Sequence, residues 1–345
     1  MVNKVKVLGV LGNPLTPPRW EIIAKFLRES QFETLTYDST TYDSTDDLDL
    51  QQVLNDVDYL VVGRKSISDK HLQYGTRIKL IQIVGSQSDH IDLASAHKIG
   101  IAVATMPLPH LAAVAEQAFM FMLVLSHKLL RGHRETVDGG YIKLGLTPTK
   151  TSETIVAGNW TKIPDITNLY GKYLGIVGMG EIGRFMVSMG QGFNMHVLYF
   201  KRNRLSKMQE EALEIEYKDF ETLLKQSDFI SLAVPHTPET ERMFGQKEFS
   251  WMKPSAFFIN CSRGGIVDQK ALYQALRDKV IAGAGLDVYE KEPIPADDPI
   301  LKLDNLVCTP HSAGTMEELT RGSKMICENI FRFHRGETPH HLIRV

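Results

Sequence analysis

The segment GIVGMGEIGRFMVSMG constrains the fold of this chain more than any other. Gly178, Gly180 and Gly183 stand in G-x-G-x-x-G spacing, directly behind an apolar run that ends at Val177 and directly ahead of a helical pattern. Each glycine answers a different need. Gly178 permits a tight turn, Gly180 lets the backbone approach a pyrophosphate, and Gly183 lets the helix pack closely on the strand; the helix N-terminus adds amide donors and a positive dipole end. Strand, glycine turn and helix in that order specify a unit that binds a dinucleotide. Met179, Glu181 and Ile182, which fill the turn, are expected beside it.

The rest of the chain repeats the alternation. In the first third, β-branched runs stand at 5–10, 59–62, 79–84 and 101–104, with a weaker one at 32–37. Between the first two, Pro17 and Pro18 lead into EIIAKFLRES, where Ile22, Ile23, Phe26 and Leu27 mark one helical face behind a proline start. A second series follows at 173–177, 195–200, 229–233, 256–261, 282–287 and 306–308, with helical patterns such as YKDFETLLKQ and QKALYQALRDK between several of them. Continuous apolar strands separated by helices imply parallel sheets covered on both faces. The stretch HLAAVAEQAFMFMLVLSHKLL reads as a single helix crossing between the two series, and the Gly/Thr-rich GGYIKLGLTPTKTSETIVAGNW after it as a surface arm. Gly9 and Gly12, followed by Pro14, Pro17 and Pro18, read as a loop, as does the acidic run 44–49.

With 345 residues the chain is about twice the usual domain length of roughly 150, so two domains are expected. Thirty-nine Lys+Arg against 41 Asp+Glu leave a formal charge of -2, which gives no global field to gather nucleic acid or an anionic membrane. His110, Glu116, Gln117, His127 and Lys128 interrupt the most apolar stretch, at a cost a membrane span does not bear cheaply. Cys261, Cys308 and Cys327 are too few and too scattered for a disulfide framework or a zinc cluster, so no metal is expected and a reducing, cytoplasmic setting fits best.

The loop after the next strand selects between dinucleotides. An NAD site usually carries Asp or Glu about 20 residues beyond the glycines, for the ribose hydroxyls. Here HVLYF runs into Lys201, Arg202, Asn203 and Arg204, with three cations and no carboxylate. Lys201, Arg202 and Arg204 therefore favour the extra phosphate of NADP(H), with NAD(H) as the lesser cofactor.

Parallel strands joined by right-handed crossovers bring their C-terminal ends to one edge, where such sheets bind ligands. Arg263 follows the run at 256–261, Glu290 and Glu292 follow that at 282–287, and His311 follows that at 306–308. The set suits hydride transfer to a 2-oxo acid. Arg263 holds the carboxylate, His311 gives a proton to the nascent alkoxide, and a neighbouring Glu stabilises the imidazolium. Glu290 and Glu292 compete for that last role on spacing alone. Val234, Pro235, Thr240, Cys261, Ser262 and Asp287, at or just beyond the strand ends, are expected to line the cofactor.

Taken together, VGSQSDHIDLASAHKIGIAVAT, LAAVAEQAF, GNW, YLGIVGMGEIGR, AVPHTPETERMFG, MKPSAFFINCSRGGIVDQKAL, AGAGLDVYEKEP and NLVCTPHSAGT resemble the D-isomer-specific 2-hydroxyacid dehydrogenases over nearly the whole length. The resemblance implies an α/β fold of two doubly wound parallel-sheet domains with a cleft between. A flavodoxin-like substrate domain would take 1–105 plus 313–345, and a Rossmann cofactor domain 106–312, with the arm at about 139–160. It assigns Arg263 to substrate, Glu292 rather than Glu290 to the histidine, and His311 to acid/base work, and it implies a homodimer. The family's carboxylate loop usually reads S-x-G-x-D, whereas Gly85-Ser86-Gln87-Ser88-Asp89 carries Gln87 in place of the glycine. Gly85, Ser86 and Gln87, with Arg263 and His311, are the expected substrate contacts, and specificity is expected around Ser86, Gln87, Arg64 and the arm. The chain ends soon after RGETPHHL, so no C-terminal regulatory module is expected. The resulting expectation is an NADP(H)-preferring reductase of a small 2-oxo acid, of the glyoxylate or hydroxypyruvate type. A dinucleotide-sensing, corepressor-like binding protein and a phosphoglycerate-type NAD-dependent dehydrogenase are its rivals.

Overall fold

The computed structural model describes residues 4–10, 17–37, 48–63, 65–86, 88–154, 158–314 and 316–344. Gly12, Pro14, residues 44–47, Arg64, Gln87 and residues 155–157 of the arm lie outside the described residues. The chain divides into two compact units, Met1–Leu111 with Gly314–Val345, and Ala112–Ala313.

In the first unit, β1 (Lys6–Val10), β2 (Glu33–Tyr37), β3 (Tyr59–Val62), β4 (Leu80–Ile83) and β5 (Ala102–Ala104) form a parallel sheet in the order β2-β1-β3-β4-β5. This is the flavodoxin-type order. β3 and β4 are buried along their whole length, as a sheet covered on both faces requires. Leu8, Leu60 and Ile81 pack with Leu50, Leu54 and Leu72. Val7, Val61 and Leu80 pack with Trp20, Ile23 and Leu27, and with Ile326 and Ile330 of the helix Met316–His334. A buried amide pair ties that helix to the sheet, Asn329 Nδ2 donating to Gln82 Oε1 at 2.8 Å. Two local readings change. Gly9 lies inside β1 rather than in a loop, because the Trp20 indole covers it and a Cβ there would lie 2.5 Å from the ring. The acidic run ends in regular structure, with Leu48 and Asp49 opening the helix Leu48–Leu54.

The second unit holds β6 (Tyr173–Val177), β7 (His196–Phe200), β8 (Glu216–Tyr217), β9 (Phe229–Leu232), β10 (Phe257–Asn260), β11 (Gly283–Leu286) and β12 (Leu306–Cys308). All are parallel, in the order β12-β11-β10-β9-β6-β7-β8. Counted from β6 the order is 3-2-1-4-5-6, the Rossmann arrangement, with one further strand beyond. Six strands are expected from the sequence. The seventh, β8, is a two-residue edge strand with Glu216 exposed, too short to carry a pattern.

The long apolar stretch forms two helices rather than one, Pro109–Ser126 and Leu129–Val137, bent by 55°. Lys128 ends the first by taking a left-handed φ of 53°, and its ammonium lies 5.3 Å from the centroid of Phe257. Leu129 and Leu130 carry the apolar pattern across the break, which hides it in the sequence. Among the described residues no single helix is long and apolar enough to cross a membrane.

Candidate active site

The sheet of the second unit reverses its order between β6 and β9, the place where doubly wound sheets bind ligands. Gly178 leaves β6 there with φ of +104°, and a Cβ on it would lie 2.4 Å from the carbonyl oxygen of Ala233, just beyond β9. Only glycine meets both conditions. Gly180 caps the helix Glu181–Gly192, and Gly183 packs so closely that a Cβ would lie 2.8 Å from Gly178 O. Met179 is buried below the turn, while Glu181 and Ile182 are half-buried in the first helical turn. Helix amides without intrahelical partners, above a cradle that side chains would fill, fit a pyrophosphate.

Beyond β7, the three cations of the next loop have different surroundings. The Arg204 guanidinium grips Glu210 with both ends of its fork, Nε to Oε1 and Nη2 to Oε2, each at 2.7 Å, and lies 4.9 Å from the ring centroid of Tyr217. Tyr199, fully buried in β7, donates its hydroxyl to Glu210 Oε1 at 2.6 Å and accepts from the Leu205 amide at 3.0 Å. Hydrogen bonds from Arg204 and Tyr199 hold the Glu210 carboxyl down to about 2, and burial first, then the bond to Glu210, pushes the Tyr199 phenol up to about 12. Arg202 is exposed and forms no ion pair among the described residues; Lys201 is half-buried. Sequence reading did not find Glu210. The signal was present in the capping box Ser206–Gln209, which fixes the start of the helix Lys207–Leu213 and thereby the placement of Glu210.

The loop after β9 closes on itself, with Thr240 Oγ1 donating to Pro235 O at 2.7 Å and accepting from Thr237 N at 2.8 Å; Val234 is half-buried and Pro235 exposed. His236 and Glu241 pair through the imidazole, and the His236 ring covers Gly265. Arg242 N donates to Gly265 O at 2.8 Å, tying this loop to the turn after β10.

That turn begins with Cys261, whose thiol is buried and pushed up by burial and by nearby Asp287, so it is inert. Ser262 Oγ donates to Leu232 O at 2.9 Å and Asn260 Nδ2 to Arg263 O at 3.0 Å. These bonds fix the backbone from which the exposed Arg263 side chain projects, its Nη1 meeting Ser262 O at 2.6 Å. From the loop after β11, Glu292 Oε2 meets His311 Nδ1 at 2.6 Å, while Glu290 is taken by Arg242 at 3.0 Å. Burial raises the Glu292 carboxyl, but the bonds from His311 and from the Tyr289 amide outweigh it, and the carboxyl is held below its usual range, with the charge of Arg263 contributing. Arg263, Glu292 and His311 thus lie at the C-terminal ends of the adjacent strands β10, β11 and β12.

Asp287 has a role that the sequence did not show. Its carboxylate is fully buried and accepts from Thr309 Oγ1 at 2.5 Å, Ser312 N at 2.8 Å and Ala313 N at 3.0 Å, bracketing His311 on both sides. In the other unit, Gly85 takes φ of +127° and exchanges backbone hydrogen bonds with Met106 at 3.1 and 2.8 Å, and Ser86 is exposed. Gln87, the departure in the carboxylate loop, lies outside the described residues.

Residues 119–313 match the family described as D-isomer specific 2-hydroxyacid dehydrogenase, NAD binding domain. The chain is 40% identical over 256 residues to a glyoxylate reductase of Korarchaeum cryptofilum, covering 74% of this chain and 73% of that protein. It is 38% identical over 297 residues to a glyoxylate reductase of Thermococcus litoralis, covering 85% and 86%. Among solved structures, a protein of Pyrococcus horikoshii OT3 matches with a TM-score of 0.63 at 27% identity, over 99% of this chain and 96% of that one. An acyclic imino acid reductase in complex with NADPH and D-Arg matches at 0.56 and 27%, over 98% and 100%. With the glycine turn at its switch point, this chain is an oxidoreductase that uses a nicotinamide dinucleotide. It belongs to the D-isomer specific 2-hydroxyacid dehydrogenase family.

Proposed function

We propose that this chain is an NADP(H)-preferring reductase that converts a small 2-oxo acid of the glyoxylate or hydroxypyruvate type into the D-2-hydroxy acid. The observation that carries the reading is the 2.6 Å contact of His311 Nδ1 with Glu292, on the strand edge that also bears Arg263. With Nδ1 engaged, Nε2 is the nitrogen that gives its proton to the carbonyl oxygen, and Glu292 both orients the ring and stabilises its charged form. Arg263 binds the substrate carboxylate with its planar donors and polarises the carbonyl. The bound dinucleotide supplies the hydride that the carbonyl carbon receives. Gly178, Gly180 and Gly183 hold its diphosphate on the helix N-terminus. Lys201 and Arg202 take the additional phosphate of NADP(H), and Arg204, held by Glu210, shapes the loop they stand on. Substrate-domain duty falls to residues 1–105 with 313–345, where Gly85, Ser86 and Gln87 supply the remaining contacts, and dinucleotide binding to 106–312.

The active form in this reading is a homodimer in the cytoplasm, a reducing setting that suits the exposed Cys308 thiol. Support for self-association comes from an apolar groove of about 640 Å³ lined by Phe119, Met120, Leu123, Leu129 and Phe193; on the helix that Leu129 opens, Leu130 and Val137 are 52% and 69% exposed. Consumption of NADPH with a panel of 2-oxo acids tests the function. Turnover of glyoxylate or hydroxypyruvate by the wild type, abolished in His311→Asn while NADPH still binds, is the expected result; no turnover of any member of the panel overturns it.

A further inference from the structure

We propose that Thr309 and Gln117 are positioning residues for His311, acting through Asp287. The inference rests on the acid/base reading of His311 given above. His311 takes a left-handed φ of 53°, which a residue with a Cβ keeps only where its surroundings impose it. What imposes it is the buried carboxylate of Asp287, which accepts hydrogen bonds from residues on both flanks of the histidine. Among the described residues no cation forms an ion pair with Asp287, so its charge is met by hydrogen bonds alone and each donor matters.

Among the described residues Thr309 supplies the one side-chain donor to Asp287, and a hydroxyl is free to rotate. Gln117 removes that freedom. From the helix Pro109–Ser126 it donates Nε2 to Thr309 Oγ1 at 2.8 Å, and an amide nitrogen only donates, so the hydroxyl hydrogen must point away from it, at Asp287 Oδ1 2.5 Å away. The Thr309 backbone is held as well, by its amide to Leu286 O at 3.0 Å and by the Tyr289 hydroxyl donating to its carbonyl at 2.8 Å. The chain Gln117, Thr309, Asp287 therefore ends on the two amides that follow His311. Cutting it loosens those amides, lets His311 relax from its imposed backbone, and breaks the alignment of Nδ1 on Glu292. Neither Gln117 nor Thr309 touches the imidazole, so the effect falls on the chemical step rather than on dinucleotide affinity.

Full-length Thr309→Val, Thr309→Ser, Gln117→Leu and the double Gln117→Leu/Thr309→Val variant test this with two readouts. The first is amide hydrogen exchange of the 309–313 segment in the protein alone, and the second is steady-state reduction of glyoxylate by NADPH. Thr309→Val is expected to speed exchange and lower kcat by about tenfold each, with the KM for NADPH changed less than about twofold. Thr309→Ser restores both readouts, Gln117→Leu gives a smaller change of the same sign, and the double variant is no worse than Thr309→Val because the chain is already cut. Wild-type exchange and kcat in Thr309→Val, equal damage from Ser and Val, or additive losses in the double variant each overturn the proposal. Should Thr309→Val not fold, the exchange comparison on Gln117→Leu decides. A wild type without glyoxylate turnover refutes the functional reading, while the exchange data still judge the positioning chain.

Discussion

Gly264 and Tyr289 meet backbone to backbone: a Cβ placed on Gly264 would lie 1.8 Å from the Tyr289 carbonyl oxygen. The contact presses the turn that carries Arg263 onto the loop that carries Glu292, and it leaves no space for a methyl group. Because the obstacle is main chain, Gly264→Ala must displace one of the two segments by about an ångström, a shift that costs roughly 100-fold in rate near a reacting centre. The expected outcome is a loss of that order in kcat/KM for glyoxylate with NADPH binding retained. Near-wild-type kcat/KM would show that the two loops are not held against each other.

Glu292 titrates in a sense that fixes the direction of its pH effect. Its carboxyl is lowered in the folded protein despite burial, because His311 and the Tyr289 amide favour the charged form. The paired state therefore persists at all pH values above the ordinary glutamate value of about 4.3 and is lost as pH falls through the lower folded one. Glu292→Gln is expected to cut kcat by about tenfold or more across neutral pH, part of the two to four decades that general acid catalysis supplies. The gap to the wild type should narrow on the acid side. A gap that widens on acidification contradicts the assignment.

The basic loop should discriminate unequally. Arg202, exposed and without an ion pair among the described residues, loses a phosphate partner when truncated, whereas Arg204 anchors the loop through Glu210. Arg202→Ala is expected to raise the KM for NADPH by about tenfold, the scale of one charge-assisted hydrogen bond, and to leave the KM for NADH unchanged. Arg204→Ala should weaken both cofactors. Equal responses to Arg202→Ala remove the NADP preference.

Glu210 provides a stability test that needs no substrate. Its carboxyl is held at about 2 by the hydrogen bonds of Arg204 and Tyr199. A depressed carboxylate contributes stability that is complete above its unfolded value of about 4.3 and vanishes as pH falls through the folded value. Glu210→Gln should thus lower the urea midpoint at pH 7 and approach the wild type as pH drops through that window. A difference independent of pH would mean that packing, not charge, holds the loop.

The self-association reading predicts that Leu130→Glu, which places a charge on the helix that Leu129 opens, shifts the molar mass in solution from dimer to monomer while leaving the fold intact by circular dichroism. A wild type that is monomeric by light scattering sinks it.

What the sequence made legible follows from where physics writes itself into patterns. Val177 to Gly183 was readable because strand burial, a left-handed glycine and helix packing each demand a residue type at a fixed place. The strand end bearing Arg263 was readable because a strand buried on both faces stands out as an apolar run, and the one bearing His311 because Leu306 and Val307 keep an apolar run even on a half-buried edge strand. Lys128 was not, since a backbone reversal inside an apolar helix leaves the periodicity almost untouched. Nor was the grip of Asp287 on Ser312 and Ala313, because bonds to main-chain amides place no demand on the identity of the donors. Arg204 reads as a free cation until Glu210, six positions on, is folded back by the helix between them.

The backbone at His311 decides what a replacement there reports. Alanine removes the imidazole and also seats a residue poorly suited to φ of 53°, mixing two losses in one number. Asparagine, enriched in that region of the map, deletes the titrating ring and leaves the bend undisturbed. The pair of variants, measured side by side, separates the value of the proton donor from the value of its pedestal.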